Sequence, residues 1–234
     1  MSVDEIVSQF EISKATARRD LESLASQGKA QRVHGGVIAV DAAPPELPIL
    51  ERENEQADEK TRIGIATANL IADKETVFLG SGTTVLEVAR NLRSRKNLTV
   101  VTNSLPVLNA LAGIKEITVV SLGGMLRESE LSFIGHITIQ SLSEIRTDKV
   151  IMGTRGISLK HGLTNEFLQE TLTDRAILKI GREVIIAADH SKIDRVSTAL
   201  LSPLTAVHTF VTDSKSDKKF LQALKRQGIS VLVA

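Results

Sequence analysis

Lys14, Thr16, Arg18 and Arg19 lie together in the run Ile12-Ser13-Lys14-Ala15-Thr16-Ala17-Arg18-Arg19-Asp20-Leu21. Such side chains can read DNA. A guanidinium reaches two acceptors on guanine at once, and a threonine methyl meets the methyl of thymine. Lys29, Arg32 and His34 follow and flank Gly35-Gly36, where basic groups on a turn would lie on phosphates. A second set suits a different ligand. Phe78-Leu79-Gly80-Ser81-Gly82-Thr83-Thr84 passes from an apolar stretch through a small polar loop to a helix start. Its N–H groups and hydroxyls then converge on the positive end of a helix, which suits a phosphate. Thr102-Asn103-Ser104 and Gly123-Gly124, with Arg127 just beyond, repeat the arrangement after two further apolar stretches. Lys192, in Ala188-Asp189-His190-Ser191-Lys192, follows a later one and would add charge.

Each set also has a plainer reading. Asp20 and Glu22 partly offset Lys14, Arg18 and Arg19, as on any solvated helix. His34 fits a structural role. The Ser81–Thr84 loop fits an ordinary strand-to-helix turn capped by Thr83, and Lys192 fits a surface lysine.

The elements that must position these residues fall into two regions. Ser2 caps a short helix, Val3 to Phe10, and Glu11-Ile12 makes a turn. Ser13 then caps a helix reaching Gln27, with Gly28 in the left-handed stop position. On it Ala17, Leu21 and Leu24 recur three or four apart and should face a core, while Lys14, Thr16, Arg18 and Arg19 lie elsewhere on the first turns. Residues 1–40 thus form a small DNA-reading domain. Three of the five prolines fall in Asp41-Ala42-Ala43-Pro44-Pro45-Glu46-Leu47-Pro48, so residues 41–58 read as a linker. From 59 to 234, helical and apolar segments alternate. Strands are expected at Thr76–Leu79, Leu98–Val101, Ile117–Leu122, Lys149–Met152, Glu183–Ala187, Thr209–Thr212 and Ser230–Val233. Helices are expected from Ile63 to near Asp73, from Thr83 to Leu92, and after Ser104, where Pro106 suits a first turn. Continuous apolar strands between helices predict an α/β fold with a mostly parallel sheet covered on both faces. The turns after its strands share one edge, where ligands bind.

Composition excludes several classes. The chain has 234 residues, 42% of them hydrophobic, enough to bury a core. Its formal net charge is +1, so DNA affinity must come from a local cluster. Cysteine is absent, which removes disulfides and cysteine-zinc sites and fits a reducing, cytoplasmic setting. Trp and Tyr are absent and Phe is sparse, which argues against stacking on single-stranded nucleic acid. No basic leader and no apolar run of about 18 residues is present, so no membrane partner is expected. No cofactor or metal is expected either.

The run from Ile12 to Leu21 and the turn Arg32-Val33-His34-Gly35-Gly36 resemble the winged helix-turn-helix of the DeoR family of bacterial transcriptional regulators. The family has a further helix upstream of the one at Val3, and this sequence has no residues for it, so the module is expected to be incomplete at its N-terminus. The resemblance extends nearly to the end of the chain. The matching segments are Ser81-Gly82-Thr83-Thr84, Thr102-Asn103, Gly123-Gly124 with Arg127, Gly162-Leu163-Thr164 and Ser191-Lys192. It implies a C-terminal domain similar to the sugar-phosphate isomerase and coenzyme A transferase fold, sensing phosphorylated sugars. It implies effector contacts at Ser81, Gly82, Thr83, Thr84, Thr102, Asn103, Gly123, Gly124, Arg127, Thr164, Glu170 and Lys192, and DNA contacts at Ser13, Lys14, Thr16, Arg18, Arg19, Arg32 and His34. Two positions depart from the pattern. The family often has an acid where Arg155 stands and a lysine where Asp174 stands. An Arg155 facing the pocket would add an anion contact, and a surface salt bridge is the alternative.

An enzyme is the rival reading: a sugar-phosphate isomerase or amino-sugar deaminase. Proton abstraction beside a carbonyl needs a poised carboxylate or histidine. Pentose-phosphate isomerases carry acids in the turn after the strand ending at Met152, and here that turn is Gly153-Thr154-Arg155-Gly156. His161 and Glu170 remain as bases without an evident second group. A scaffold lacking both functions is a third reading. The expected function is a repressor of carbohydrate-utilisation genes. Its partners would be double-stranded operator DNA and a phosphorylated sugar, and it would act as a homodimer or homotetramer.

Overall fold

The structure, a computed structural model, describes residues 2–26, 30–33, 36–39 and 47–234, with side chains described for 2–24 and 47–234. The chain divides into two compact units, residues 1–45 and 46–234.

In the first unit, Ser2 caps α1 (Val3–Phe10) through a reciprocal box in which Glu5 N donates to Ser2 Oγ and Ser2 N donates to Glu5 Oε2. Helix α2 (Lys14–Ser26) follows, with Thr16 N donating to Ser13 Oγ at 3.1 Å. Strands β1 (Ala30–Val33) and β2 (Gly36–Ala39) pair antiparallel, Arg32 opposite Val37. The small core is Ile6, Ala17 and Leu21, with Val3, Val7 and Ile12 against it. It reaches only the first turns of α2, so Leu24, expected inside, is 39% exposed, and Phe10 is 61% exposed. Gly28, Lys29, His34 and Gly35 lie outside the described residues.

The second unit is built on a seven-stranded sheet whose neighbouring strands all run parallel. Its strands are β3 (Thr76–Leu79), β4 (Leu98–Thr102), β5 (Ile117–Ser121), β8 (Thr147–Met152), β11 (Gly181–Ala187), β13 (Thr209–Thr212) and β14 (Ser230–Val233). They lie in the order β14-β13-β11-β8-β3-β4-β5. Alternate residues enter opposite cores. Phe78, Val150, Met152, Val184, Ile186 and Phe210 join one cluster, while Val77, Leu79, Ile151, Ile185, Ala187 and Val211 join the other. The second is covered by α3 (Ala57–Ala68), α4 (Thr83–Arg90) and α5 (Leu105–Leu111), which contribute Ile63, Val85, Val88, Val107 and Leu111. The first takes Leu142 from α6 (His136–Ser143), Ile177 from α7 (Leu168–Leu178), and Phe220, Leu221 and Leu224 from α8 (Lys218–Arg226). Burial on both faces is why the inner strands read as apolar runs, while the edge strands β5 and β14 are partly exposed.

Three expectations are modified. Helix α3 stops at Ala68 rather than near Asp73, because Leu70 N and Ile71 N turn back to Thr67 O and Ala68 O. Part of the stretch expected as linker is fixed on the second unit, where Ile49 is 1% exposed and its N–H donates to Ser129 O at 2.7 Å. Short antiparallel elements also appear that the apolar pattern does not announce. Strands β6 (Met125–Arg127) and β7 (Ser132–Ile134) form one pair, and β9 (Gly156–Ser158), β10 (Gly162–Asn165) and β12 (Ala199–Ser202) form a three-stranded sheet. Among the described residues no helix is long and apolar enough to cross a membrane.

Candidate functional site

The chain enters the sheet at β3, near its middle, and builds outward to β5 on one side. It then returns to place β8 against the other side of β3 and builds outward to β14. The turns after β3 and β8 therefore leave in opposite directions, and a crevice opens between them at the carboxyl ends of the strands. The cleft found there is lined by Ser81, Gly82, Thr83 and Thr84 after β3, by Gly153, Thr154 and Arg155 after β8, and by Asp189, Ser191 and Lys192 after β11.

The Ser81–Thr84 turn delivers α4 with its N-terminus open. Gly82 adopts φ +111°, a backbone conformation that side chains disfavour, and no side chain caps the helix. The expected alternative of a turn capped by Thr83 is not what forms. Thr83 and Thr84 are buried in the cleft wall. Lys60, on α3, lines the same cleft with Lys192. Burial holds the Lys60 ammonium below the usual lysine range, Asp189 opposes that shift, and Lys192 adds to it. Lys60 Nζ donates to Arg52 O at 2.7 Å. Two ammonium groups and an uncapped helix start at one crevice form an environment for an anion.

The far wall is a hydrogen-bonded array. Asn165 Nδ2 donates to Asp174 Oδ2 at 2.6 Å, and Asn165 Oδ1 accepts from Arg155 N at 3.4 Å. Glu170 and Asp174 reach the cleft from α7. Arg127 pairs with Glu170 from behind, its guanidinium 4.9 Å from the centre of the Phe167 ring. Arg155 is buried in this wall and also carries the ion pair offered as its alternative, with a partner that is partly exposed. Glu166 Oε2 stands 3.9 Å from Arg155 Nε.

Of the sequence-predicted effector residues, Ser81, Gly82, Thr83, Thr84, Glu170 and Lys192 come together. Thr102, Asn103, Gly123, Gly124, Arg127 and Thr164 do not line the cleft. The crevice lies between β3 and β8, so the turns after β4 and β5, though on the same edge, fall to one side of it. Thr102 Oγ1 instead donates to Leu79 O at 2.7 Å, and Asn103 Nδ2 to Phe133 O at 2.9 Å. Gly123 O accepts from Thr138 Oγ1 at 2.8 Å, and Gly124 lies against that same Thr138. Thr164 Oγ1 accepts from Ser197 N at 2.9 Å.

Sequence reasoning missed Arg52, Lys60, Glu130, Asn165 and Asp189, which also line the cleft. One signal was legible: Lys60 shares the buried face of α3 with Ile63, Gly64 and Thr67, and a lysine on such a face needs a reason. His161, a candidate base for an enzyme, is exposed and lies outside the cleft.

In the first unit, Lys14, Thr16, Arg18 and Arg19 are exposed at the start of α2. Lys14 Nζ lies 2.7 Å from Asp4 Oδ1, which, with a lesser contribution from Arg18, lowers the Asp4 pKa. Ser13 Oγ and Thr16 Oγ1 are 2.8 Å apart. Arg32 stands on β1, and His34 is outside the described residues.

Residues 1–43 match the DeoR-like helix-turn-helix domain, and residues 55–214 match the DeoR C terminal sensor domain. The HTH-type transcriptional regulator IolR of Bacillus subtilis (strain 168) is 32% identical over 100% of this chain and 93% of its own length. The glycerol-3-phosphate regulon repressor of Escherichia coli (strain K12) is 34% identical over 99% and 91%. The transcriptional repressor AccR of Agrobacterium fabrum is 33% identical over 92% and 83%. A solved ribose 5-phosphate isomerase from Methanocaldococcus jannaschii overlaps 59% of this chain and 55% of its own, with 17% identity and a TM-score of 0.44. The sequence relatives are named as regulators, and the enzyme reading gives way to theirs: the chain belongs to the DeoR family of transcriptional regulators.

Proposed function

We propose that this chain is a repressor of carbohydrate-utilisation genes whose hold on operator DNA is set by a phosphorylated sugar or polyol in the β3–β8 cleft. The observation that carries the reading is the uncapped start of α4 opening into one crevice with Lys60 and Lys192. The phosphate would sit against Ser81–Thr84. Hydroxyls would meet Asn165, Asp174 and Glu170, whose amide and carboxylates suit polyols. A relative named for the glycerol-3-phosphate regulon supports a small phosphorylated ligand. The reading includes a cytoplasmic homodimer or homotetramer, because paired half-sites need paired readers.

Thermal unfolding with sugar phosphates, glycerol 3-phosphate among them, and with the matching free sugars tests this. Some phosphates should raise the midpoint and the free sugars should not. Failure of every phosphate to do so would sink the reading. On the DNA side, Arg18→Ala is expected to weaken operator binding by about 1–3 kcal/mol, the range for a base-contacting arginine. An unaltered affinity in a gel-shift titration would take Arg18 off the reading surface.

A further inference from the structure

The cleft shares a wall with the stretch of chain that enters the sensor from the N-terminal side. Residues 47–56 precede α3 and are tied down along their length. Ile49 N donates to Ser129 O at 2.7 Å, and Arg52 Nε donates to Leu47 O at 2.8 Å. The Arg52 guanidinium pairs with Glu130, both side chains buried, and Arg52 O accepts from Lys60 Nζ. Ser129 and Glu130 belong to the turn joining β6 to β7. Arg52, Glu55, Gln56, Lys60 and Glu130 all line the cleft. The Arg52–Glu130 pair is thus a clamp on this stretch and a charged pair facing the ligand space.

These two roles conflict when an anion arrives. A phosphate beside Lys60 attracts the Arg52 guanidinium and repels the Glu130 carboxylate, and it does so where screening is weak. It also competes with Arg52 O for the Lys60 ammonium. We propose that Arg52 is the positioning residue that converts occupancy of the cleft into release of residues 47–56. The ligand draws Arg52 from Glu130, and the hold of Ile49 on Ser129 loosens with it. This rests on the reading of the cleft as an anion site. Coupling of this kind is reciprocal: a ligand that weakens the clamp binds more tightly when the clamp is already weak.

Hydrogen exchange on the full chain, read in peptides covering residues 47–56, tests the proposal with inorganic phosphate as probe. In the wild-type protein, saturating phosphate should speed exchange there about tenfold. Glu130→Gln keeps Arg52 and weakens the clamp. Its exchange should be fast without phosphate, and it should bind phosphate several-fold more tightly. The double variant Arg52→Met/Glu130→Met leaves no lone buried charge. It should exchange fast and show no further change with phosphate. A purely structural pair would also give fast exchange in the variants, and loss of the Glu130 carboxylate favours phosphate by charge alone, so the deciding readout is the phosphate-dependent exchange itself: a further acceleration by phosphate in the double variant overturns the proposal. Phosphate binding to the wild type with unaltered exchange at 47–56 overturns it as well, and leaves the anion site standing. Absence of phosphate binding to the wild type removes the anion site, and the proposal falls with it.

Discussion

A Lys60→Met protein is expected to keep its fold and lose its response to phosphate ligands. An ammonium-to-phosphate hydrogen bond contributes about 1.5–3 kcal/mol, which corresponds to roughly a 10- to 150-fold loss of affinity. In the unliganded protein two effects oppose: burial disfavours the Lys60 charge, and loss of Nζ removes the donor to Arg52 O. A lysine whose folded pKa lies below its unfolded value costs stability in full below the folded pKa. That cost lifts as pH rises toward the ordinary lysine value of 10.5, because the unfolded chain holds the proton longer. Lys60→Met should therefore flatten the rise of the ligand-free midpoint at alkaline pH. An undiminished phosphate response in the same titration would place the anion elsewhere.

Gly64→Val is expected to destabilise the sensor by about 3 kcal/mol, the upper part of the range for overpacking. Helices α3 and α4 touch through this glycine. A Cβ there would stand 2.6 Å from Glu87 Cβ and 2.8 Å from the Glu87 carbonyl carbon, and backbone cannot move aside cheaply. The helices must separate. Lys60 lies one turn before Gly64 on the same face, so it moves relative to the Ser81–Thr84 turn, and phosphate affinity should fall together with stability. Urea unfolding checks the first effect, and a midpoint equal to wild type would mean that α3 shifts freely.

The middle of the sheet was legible because its strands are buried on both faces, and Thr76–Leu79 or Thr209–Thr212 leaves no polar interruption to misread. The Ser81–Thr84 turn was legible because strand, small polar loop and helix start adjoin in sequence. The rest of the cleft was not, because strand order is a long-range property. Nothing local tells that β8, and not β4, supplies the facing wall, so Thr102 and Gly123 carry the same pattern as Ser81 without lining the cleft. Asn165 and Asp174 stand on β10 and α7, elements too short or too polar to stand out, and only their hydrogen bond joins them. Arg52 was read as part of a linker because Pro44, Pro45 and Pro48 precede it. Proline marks where regular structure stops, and Ile49 packs just beyond them.

The pairing of β3 with β8 bears on how the protein is made. Thr76 N donates to Asp148 Oδ2 at 2.9 Å, across 72 positions of sequence. Contacts that close long loops form slowly, because the entropy of closure is met before the contacts reward it. The two walls of the cleft sit on either side of that closure. A growing chain has its α1–α2 pair long before it has a place for an effector, and a polypeptide interrupted before Met152 would have one wall and no crevice.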